Sequence, residues 1–296
     1  MAWLDEDQVW ANFDRRTEDG TVVFSKDYRT VAFSENGFEF EFRILSGFAK
    51  KPVVPGEQAP PPTSGCRPGS DIDVGGYEVA EVGPAHLLAY NKFAAARPHL
   101  LLLTQDGFRR QHERLDRADF AALRHALSAL RRRARYLAIF NCGAAAGCSR
   151  LHKHLQLFPA PPAPEFELWP DRHDPDAWPA LPFRCFVHRF ADDELPPADA
   201  LAAIYGSLLS RAEAAARSSG HDRPDGEADG PVPHNVVLDR KWMLVVPRRC
   251  AGWDGIVVNA AAMLGMVWVP SDEMLERWME IGPEKLLAHV GVPANH

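Results

Sequence analysis

The sequence predicts an α+β fold in which helices flank an antiparallel sheet, and three observations carry the prediction. Asn36-Gly37 separates two apolar runs, a second pair of apolar runs lies around Leu87–Phe93 and His99–Thr104, and a helical spacing begins after Asp116. The 296 residues suit one large domain or two intimate halves. At 46% apolar and 25% charged residues, the chain has the make-up of an ordinary water-soluble globular protein. Eight Trp and sixteen Phe supply a sizeable core.

Taken in order, Thr21–Phe24, Thr30–Phe33 and Phe38–Ile44 read as strands. Asn36 and Gly37 both tolerate positive φ, which makes the last two a hairpin. Phe38, Phe40, Phe42 and Ile44 alternate with polar residues and share one face. Residues 51–70 are rich in Pro and Gly and read as a surface loop of a length that often serves as a lid, with Lys50 and Lys51 at its start. Asp116 caps a helix whose Phe120, Leu123, Leu127 and Leu130 recur at helical spacing. Arg131, Arg132, Arg133 and Arg135 at its end read as a solvated terminus that suits the macrodipole.

Tyr136–Phe140 reads as a strand, Asn141–Arg150 as a glycine-bearing loop and Leu151–Phe158 as the next strand. Pro-rich sequence from Pro159 to Pro182 marks a crossover, and a helix follows around Ala198–Arg217. Residues 218–233 read as a solvated low-complexity loop. Asn235–Arg248 and Gly255–Val269 read as strands, and Ser271 caps a last helix that stops at Gly282-Pro283.

Several classes of function are excluded. The net charge of −7 argues against coating a nucleic acid. No apolar stretch approaches the ~20 residues that span a bilayer, and the start of the chain is acidic where a signal peptide is basic. Five cysteines, an odd number at irregular spacing, give no disulfide framework and fit a reducing cytoplasm.

The chemistry concentrates between Asn141 and Gln156. On a strand, period 2 places His152, His154 and Gln156 on one face, with Leu151, Leu155 and Leu157 opposite. Three polar side chains in a row on a buried sheet are costly without a polar ligand. The preceding loop, with Asn141, Gly143, Gly147 and Ser149, suits a backbone nest for phosphate oxygens. Two other readings stand beside this one. A His-x-His pair suits zinc, although no nearby Cys/His cluster completes four ligands. Histidines satisfied by backbone carbonyls are the second.

His152-Lys-His154-Leu-Gln156 resembles the H-x-H-x-Q signature of the transferase branch of the histidine-triad superfamily, whose hydrolases carry a third His at the Gln position. More closely, the chain is similar to the fungal-type diadenosine tetraphosphate phosphorylases, or ATP adenylyltransferases. The resemblance runs through Asn91-Lys92-Phe93 with His99–Thr104, Asn141–Gly143, Gly147–Ser149, and Asn235 with Arg240–Arg248. Gly255–Asn259 and Gly282-Pro283 continue it, so that it covers roughly residues 40–290. Departures lie in the phosphate loop. Arg150 stands where Gln is usual, Leu151 where Pro is usual, and Cys142 and Cys148 replace small residues.

The resemblance implies a histidine-triad-like sheet over residues 1–165 and a C-terminal half, 166–296, that completes a single compact domain. It implies a nucleotidyl transferase that converts diadenosine tetraphosphate and phosphate to ATP and ADP, reversibly, through an adenylyl-histidine. His154 is then the nucleophile, His152 positions the ring or a phosphate oxygen, and Gln156 binds the phosphate. Asn91 binds ribose, while Asn141, Gly143 and Ser149 hold non-bridging oxygens. Lys50, Lys51, Lys92 and Arg150 gather the polyanion. Lys153 points away from His154, and Trp242 suits the core better than an adenine stack. No cofactor is held tightly; Mg2+ or Mn2+ accompanies the nucleotide. The partners are the dinucleoside polyphosphate, ATP, ADP and phosphate, with no nucleic acid, membrane or obligatory protein partner. The alternatives are transfer involving a sugar phosphate, hydrolysis of another nucleotide conjugate, and a catalytically weak dinucleotide-binding protein.

Overall fold

Strict alternation along the central strands decides which side chains face which layer. A computed structural model describes residues 4–47, 66–162, 166–172, 174, 178–220 and 230–294. Lys50 and Lys51 lie outside the described residues. In chain order the elements are α1 (Glu6–Glu18), β1 (Arg29–Glu35), β2 (Phe38–Ile44), β3 (Glu78–Val82), β4 (His86–Tyr90), β5 (Leu100–Thr104), α2 (Arg117–Ala129), β6 (Tyr136–Cys142) and β7 (His154–Pro159). They continue as β8 (Phe186–Arg189), α3 (Ala198–Ser218), β9 (His234–Leu238), β10 (Trp242–Pro247), β11 (Gly252–Trp253), β12 (Ile256–Val257), β13 (Met266–Val269), α4 (Asp272–Ile281) and α5 (Pro283–Val290).

Eight strands form one antiparallel sheet in the order β3-β4-β5-β7-β6-β9-β10-β8. The β6–β9 ladder, from Ala138↔Leu238 to Cys142↔His234, carries the sheet from the first half of the sequence into the second. A smaller sheet, β1-β2-β13, has β13 parallel to β2. Asn36 and Gly37 take φ of 48° and 83°, the pair of left-handed residues that a two-residue hairpin requires.

One face of the large sheet is closed by α1, α2 and α3. There Leu88, Leu102, Phe140, Leu155, Leu157 and Val245 meet Phe13, Phe120, Leu123 and Leu208 in one continuous core. The opposite face carries two separate cores. Leu137, Ile139, Phe158, Val237 and Leu244 pack with Phe38, Phe40, Phe42, Trp278 and Leu286. Leu87, Ala89, Leu101 and Leu103 pack with Ile72 and Val74. His154 and Gln156 of β7 fall between them, because Gln156 is paired with Leu101 on one side and Ile139 on the other, and His154 with Leu103.

Several elements differ from the sequence expectation. Helix α1 was not foreseen; Asp5 caps it and Val9 and Phe13 bury its inner face. Helix α5 follows α4 because Pro283 occupies the first helical turn, where its missing N–H costs nothing. Thr21–Phe24 is not a strand, and only Val23 makes a bridge, to Phe93. Strand β7 starts at His154 rather than Leu151. Gly255–Val269 is broken into β12, a 3-10 turn over Ala262–Leu264, and β13. The arginines after α2 are not merely solvated. Arg132 and Arg133 pair with Asp7, and Arg135 with Asp171 and Asp239. No described helix is long and apolar enough to cross a membrane.

Candidate active site

His154 opens β7, nearly buried at 6% exposure. Its Nδ1 lies 2.8 Å from the main-chain oxygen of His152. A carbonyl can only accept, so the ring proton sits on Nδ1 and the lone pair on Nε2. The main chain around His154 is held by an amide side chain that acts as a strand link. Gln111 accepts from the His154 N–H (2.8 Å) and donates to the carbonyls of His154 (3.0 Å) and Asn141 (3.1 Å). It thereby ties β7 to β6 just beyond the last ladder pair, Ile139↔Gln156.

Gln156 is oriented by His99. The Ala95 N–H donates to His99 Nδ1 (3.1 Å), so His99 carries its proton on Nε2 and donates to Gln156 Oε1 (3.0 Å). The NH2 end of Gln156 is therefore the end turned away from His99. Asn91 is half-buried beside this pair, with Nδ2 at 3.3 Å from His99 Nε2 and Oδ1 accepting from the Phe93 N–H. Lys92 is exposed, its ammonium over the rings of Tyr77 and Phe93.

His152 has a different role from the one its spacing suggests. It is fully buried, with Nδ1 2.8 Å from Ser70 Oγ and Nε2 2.9 Å from Thr104 Oγ1. Burial pushes its pKa down against the pull of the Asp71 carboxylate. Its ring packs among these hydroxyls, and its contribution to the reactive ring is the main-chain carbonyl. Both ring nitrogens of His152 lie against hydroxyls, which leaves neither to share a metal with His154. Among the described residues no group of three His, Cys, Asp or Glu side chains is placed to hold a metal. Asp71 accepts from the N–H groups of Leu151 (2.8 Å) and His152 (2.9 Å), and this is why β7 starts only at His154.

Lys153 points the other way, as expected, into a fully buried ion pair with Asp119 (2.6 Å). Asp119 also accepts from His86 and from the Asp116 N–H. Burial raises its pKa, but the His86 hydrogen bond and the Lys153 charge outweigh that and hold it at about 2.

The loop after β6 rests on the second half of the chain. Asn141 Oδ1 accepts from Asn235 Nδ2 and from the Ala260 N–H, both at 2.9 Å. Gly147, at φ 82°, lies so close that a Cβ would stand 2.3 Å from the Val258 oxygen, and only glycine fits. The nest expected here is narrower than its sequence suggests. The N–H of Gly143 donates to the Gln111 carbonyl, and those of Ala146 and Gly147 close turns within the loop. Gly143, at φ 85°, contributes the turn. Ser149 is exposed and Arg150 half-buried, with Nη1 on the Ser149 carbonyl. Trp242 is a core residue; its indole donates to Asp171, which pairs with Arg135.

Sequence reasoning missed Ser70, Asp71, Thr104, Gln111, Asn235 and Arg248 as parts of this site, and it used His99 only as a spacing mark. Ser70, Asp71 and Gln111 belong to no short pattern, while Thr104, Asn235 and Arg248 lie in segments that carry the family resemblance without a role read from them.

With this geometry in view, comparison with known proteins is decisive. A model of the Ap4A phosphorylase N-terminal domain matches residues 6–171, more than half of the chain, and one of the ATP adenylyltransferase C-terminal domain matches residues 179–293. The chain belongs to the Ap4A phosphorylase family. Diadenosine 5',5'''-P1,P4-tetraphosphate phosphorylase 2 of Saccharomyces cerevisiae is 29% identical over 215 residues, 65% of this chain and 65% of that protein. Protein APA1 of the same yeast is 28% identical over 215 residues, 66% of this chain and 65% of that protein. The matched region thus spans just under two thirds of these relatives. Among solved structures, yeast Ap4A phosphorylase Apa2 in complex with Ap4A superposes with a TM-score of 0.72 at 23% identity, covering 98% of each chain. Its complex with AMP gives 0.71 at 24% identity, covering 98% of this chain and 97% of that one. Those likenesses establish that the chain has the α+β fold of Apa2, built on a large antiparallel sheet.

Proposed function

We propose that this member of the Ap4A phosphorylase family converts diadenosine tetraphosphate and inorganic phosphate to ATP and ADP. The observation that carries the reading is the pairing of an Nε2 nucleophile on His154 with a Gln156 amide whose NH2 end is turned away from His99. Neutral imidazole attacks without a strong base. Nε2 bonds to the α-phosphorus while the bond to the departing ATP oxygen breaks. The ring becomes cationic, and the His152 carbonyl, accepting from Nδ1–H, stabilises that charge. A phosphate oxygen then attacks the same phosphorus, the N–P bond breaks, and ADP leaves. Each step exchanges one activated phosphoryl bond for another, so the sequence runs in both directions.

Gln156 donates to the phosphoryl oxygens as charge builds, and its amide, unlike an imidazole, cannot take a proton from an attacking water. That supports transfer over hydrolysis. Asn91 takes the ribose, while Asn141, Ser149 and Arg150 take the phosphate chain. Lys92 and the lysines at 50 and 51 complete the cationic rim, and Mg2+ or Mn2+ arrives with the nucleotide. Five cysteines, an odd number at irregular spacing, support a reducing compartment, the cytoplasm.

The test is product formation from diadenosine tetraphosphate with and without phosphate. ADP equal to ATP, only when phosphate is present, is the expected outcome. AMP formed in the absence of phosphate would make the protein a hydrolase. Tight dinucleotide binding without product would make it a binding protein.

A further inference from the structure

One buried cation takes no part in the mechanism described so far. Arg248, at the end of β10, is 3% exposed. Its guanidinium donates through Nε to the Val290 carbonyl (3.1 Å), and through Nη1 to Asn235 Oδ1 (2.6 Å) and the Ala146 carbonyl (3.4 Å). Through Nη2 it donates to the carbonyls of Cys250 (3.0 Å), Ala251 (3.4 Å) and Val258 (2.9 Å). Among the described residues none of its partners is a carboxylate. Burial accordingly lowers its pKa to about 9. A charge held in the interior by dipoles alone is costly, and replacing such groups by apolar ones is often stabilising. Its position gives the charge a use, because it touches the loop proposed to hold the phosphates directly at the Ala146 carbonyl and reaches Asn141 through Asn235 of β9.

The hydrogen-bond directions propagate from it. A guanidinium only donates, so the oxygen of Asn235 must face Arg248. The Asn235 NH2 then faces the other way, and donates to Asn141 Oδ1 and the Ala146 carbonyl, both at 2.9 Å. With the Ala260 N–H on the same oxygen, Asn141 has its oxygen turned inward and its NH2 turned outward. An inverted Asn141 would present an oxygen to an anion.

We propose that Arg248 is a positioning residue of the phosphate site, which fixes the Asn141 amide through Asn235 and lends an uncompensated positive charge to a bound polyphosphate. The proposal rests on the phosphorolysis reading, since that reading places phosphates on this loop. Interior charge is weakly screened, so its effect should grow with the charge of the ligand.

The experiment measures dissociation constants of AMP, ADP and ATP for the wild type, Arg248→Met and Arg248→Lys by calorimetry, alongside thermal unfolding and phosphorolysis. In Arg248→Met, affinity for ATP should fall on the order of tenfold or more, and for AMP by less, flattening the rise of affinity with phosphate number. Arg248→Lys should restore that rise in part, because it returns the charge without the fork that orients Asn235. If Arg248→Met does not fold, Arg248→Lys decides alone: all three nucleotides should bind at least ~5-fold more weakly, with the rise retained in part. Unchanged dissociation constants in a folded variant would overturn the proposal. Wild-type protein that binds nucleotides but makes no ADP would overturn the phosphorolysis reading instead.

Discussion

Successive side chains of the catalytic strand meet two different environments. On one face, Lys153, Leu155 and Leu157 enter the helix-covered core, and the charge of Lys153 is answered by Asp119. On the other, the apolar packing stops on both sides of His154 and Gln156, against Leu101 and Leu103 in one direction and Ile139 and Phe158 in the other. The first face satisfies its polar groups within the fold. On the second, the His152 carbonyl and the His99 ring orient the His154 imidazole and the Gln156 amide, and Gln111 holds the His154 main chain. The same six-residue strand is thus an anchor on one side and a reactive surface on the other. Substitutions should separate the two properties.

The largest effect belongs to the reactive face. His154→Ala should lower phosphorolysis by at least ~10^4-fold with the unfolding midpoint little changed. Gln156→Ala should cost ~10^2–10^3 in kcat, the range for removing one donor from a developing oxyanion. His99→Leu should lose about tenfold, because it frees the Gln156 amide to turn while leaving its donors in place. A His99 variant as damaging as His154→Ala would show that His99 touches the reacting atoms itself.

The anchoring face should respond in stability. Lys153→Met strands the buried Asp119 charge and should destabilise the fold by about 3–5 kcal/mol in urea unfolding, with turnover per folded molecule nearly unchanged. The smaller of the two stability effects is a pH dependence at His234, which is fully buried and accepts from the Tyr205 hydroxyl (2.9 Å). Burial lowers its pKa to about 4, while the unfolded chain takes up the proton near ~6.5. Between these values the unfolded state binds more protons, so stability is complete above ~6.5 and falls with pH towards 4 by on the order of 3 kcal/mol. His234→Gln should flatten that slope.

Much of this was legible in the sequence where a local pattern existed. The Asn36-Gly37 hairpin, the Asp116 cap and the alternation of Phe38, Phe40 and Phe42 are short-range signals, and each appears in the fold. The motif placed His154 and Gln156 on one face and Lys153 on the other. That the His152 side chain lies against hydroxyls of residues 70 and 104, while its main-chain carbonyl meets the His154 ring, was not legible, because spacing reports only which face a side chain takes. Helix α1 was hidden by its acidic start; Glu6 is buried because it accepts from the N–H groups of Arg132 and Arg133, more than a hundred residues away. Gln111 and Asp71 were invisible for the same reason, since their partners are backbone groups brought near only by the tertiary fold.

The central claim is a covalent intermediate on the reactive face of β7. Protein incubated with diadenosine tetraphosphate in the absence of phosphate should gain the mass of one adenylyl group in intact-mass measurement, localised to His154. The adduct should disappear with release of ADP when phosphate is added, and His154→Ala should never acquire it. Phosphate-dependent ADP formation by a wild-type protein that never carries the adduct would contradict the account, because the phosphate oxygen would then attack the nucleotide directly.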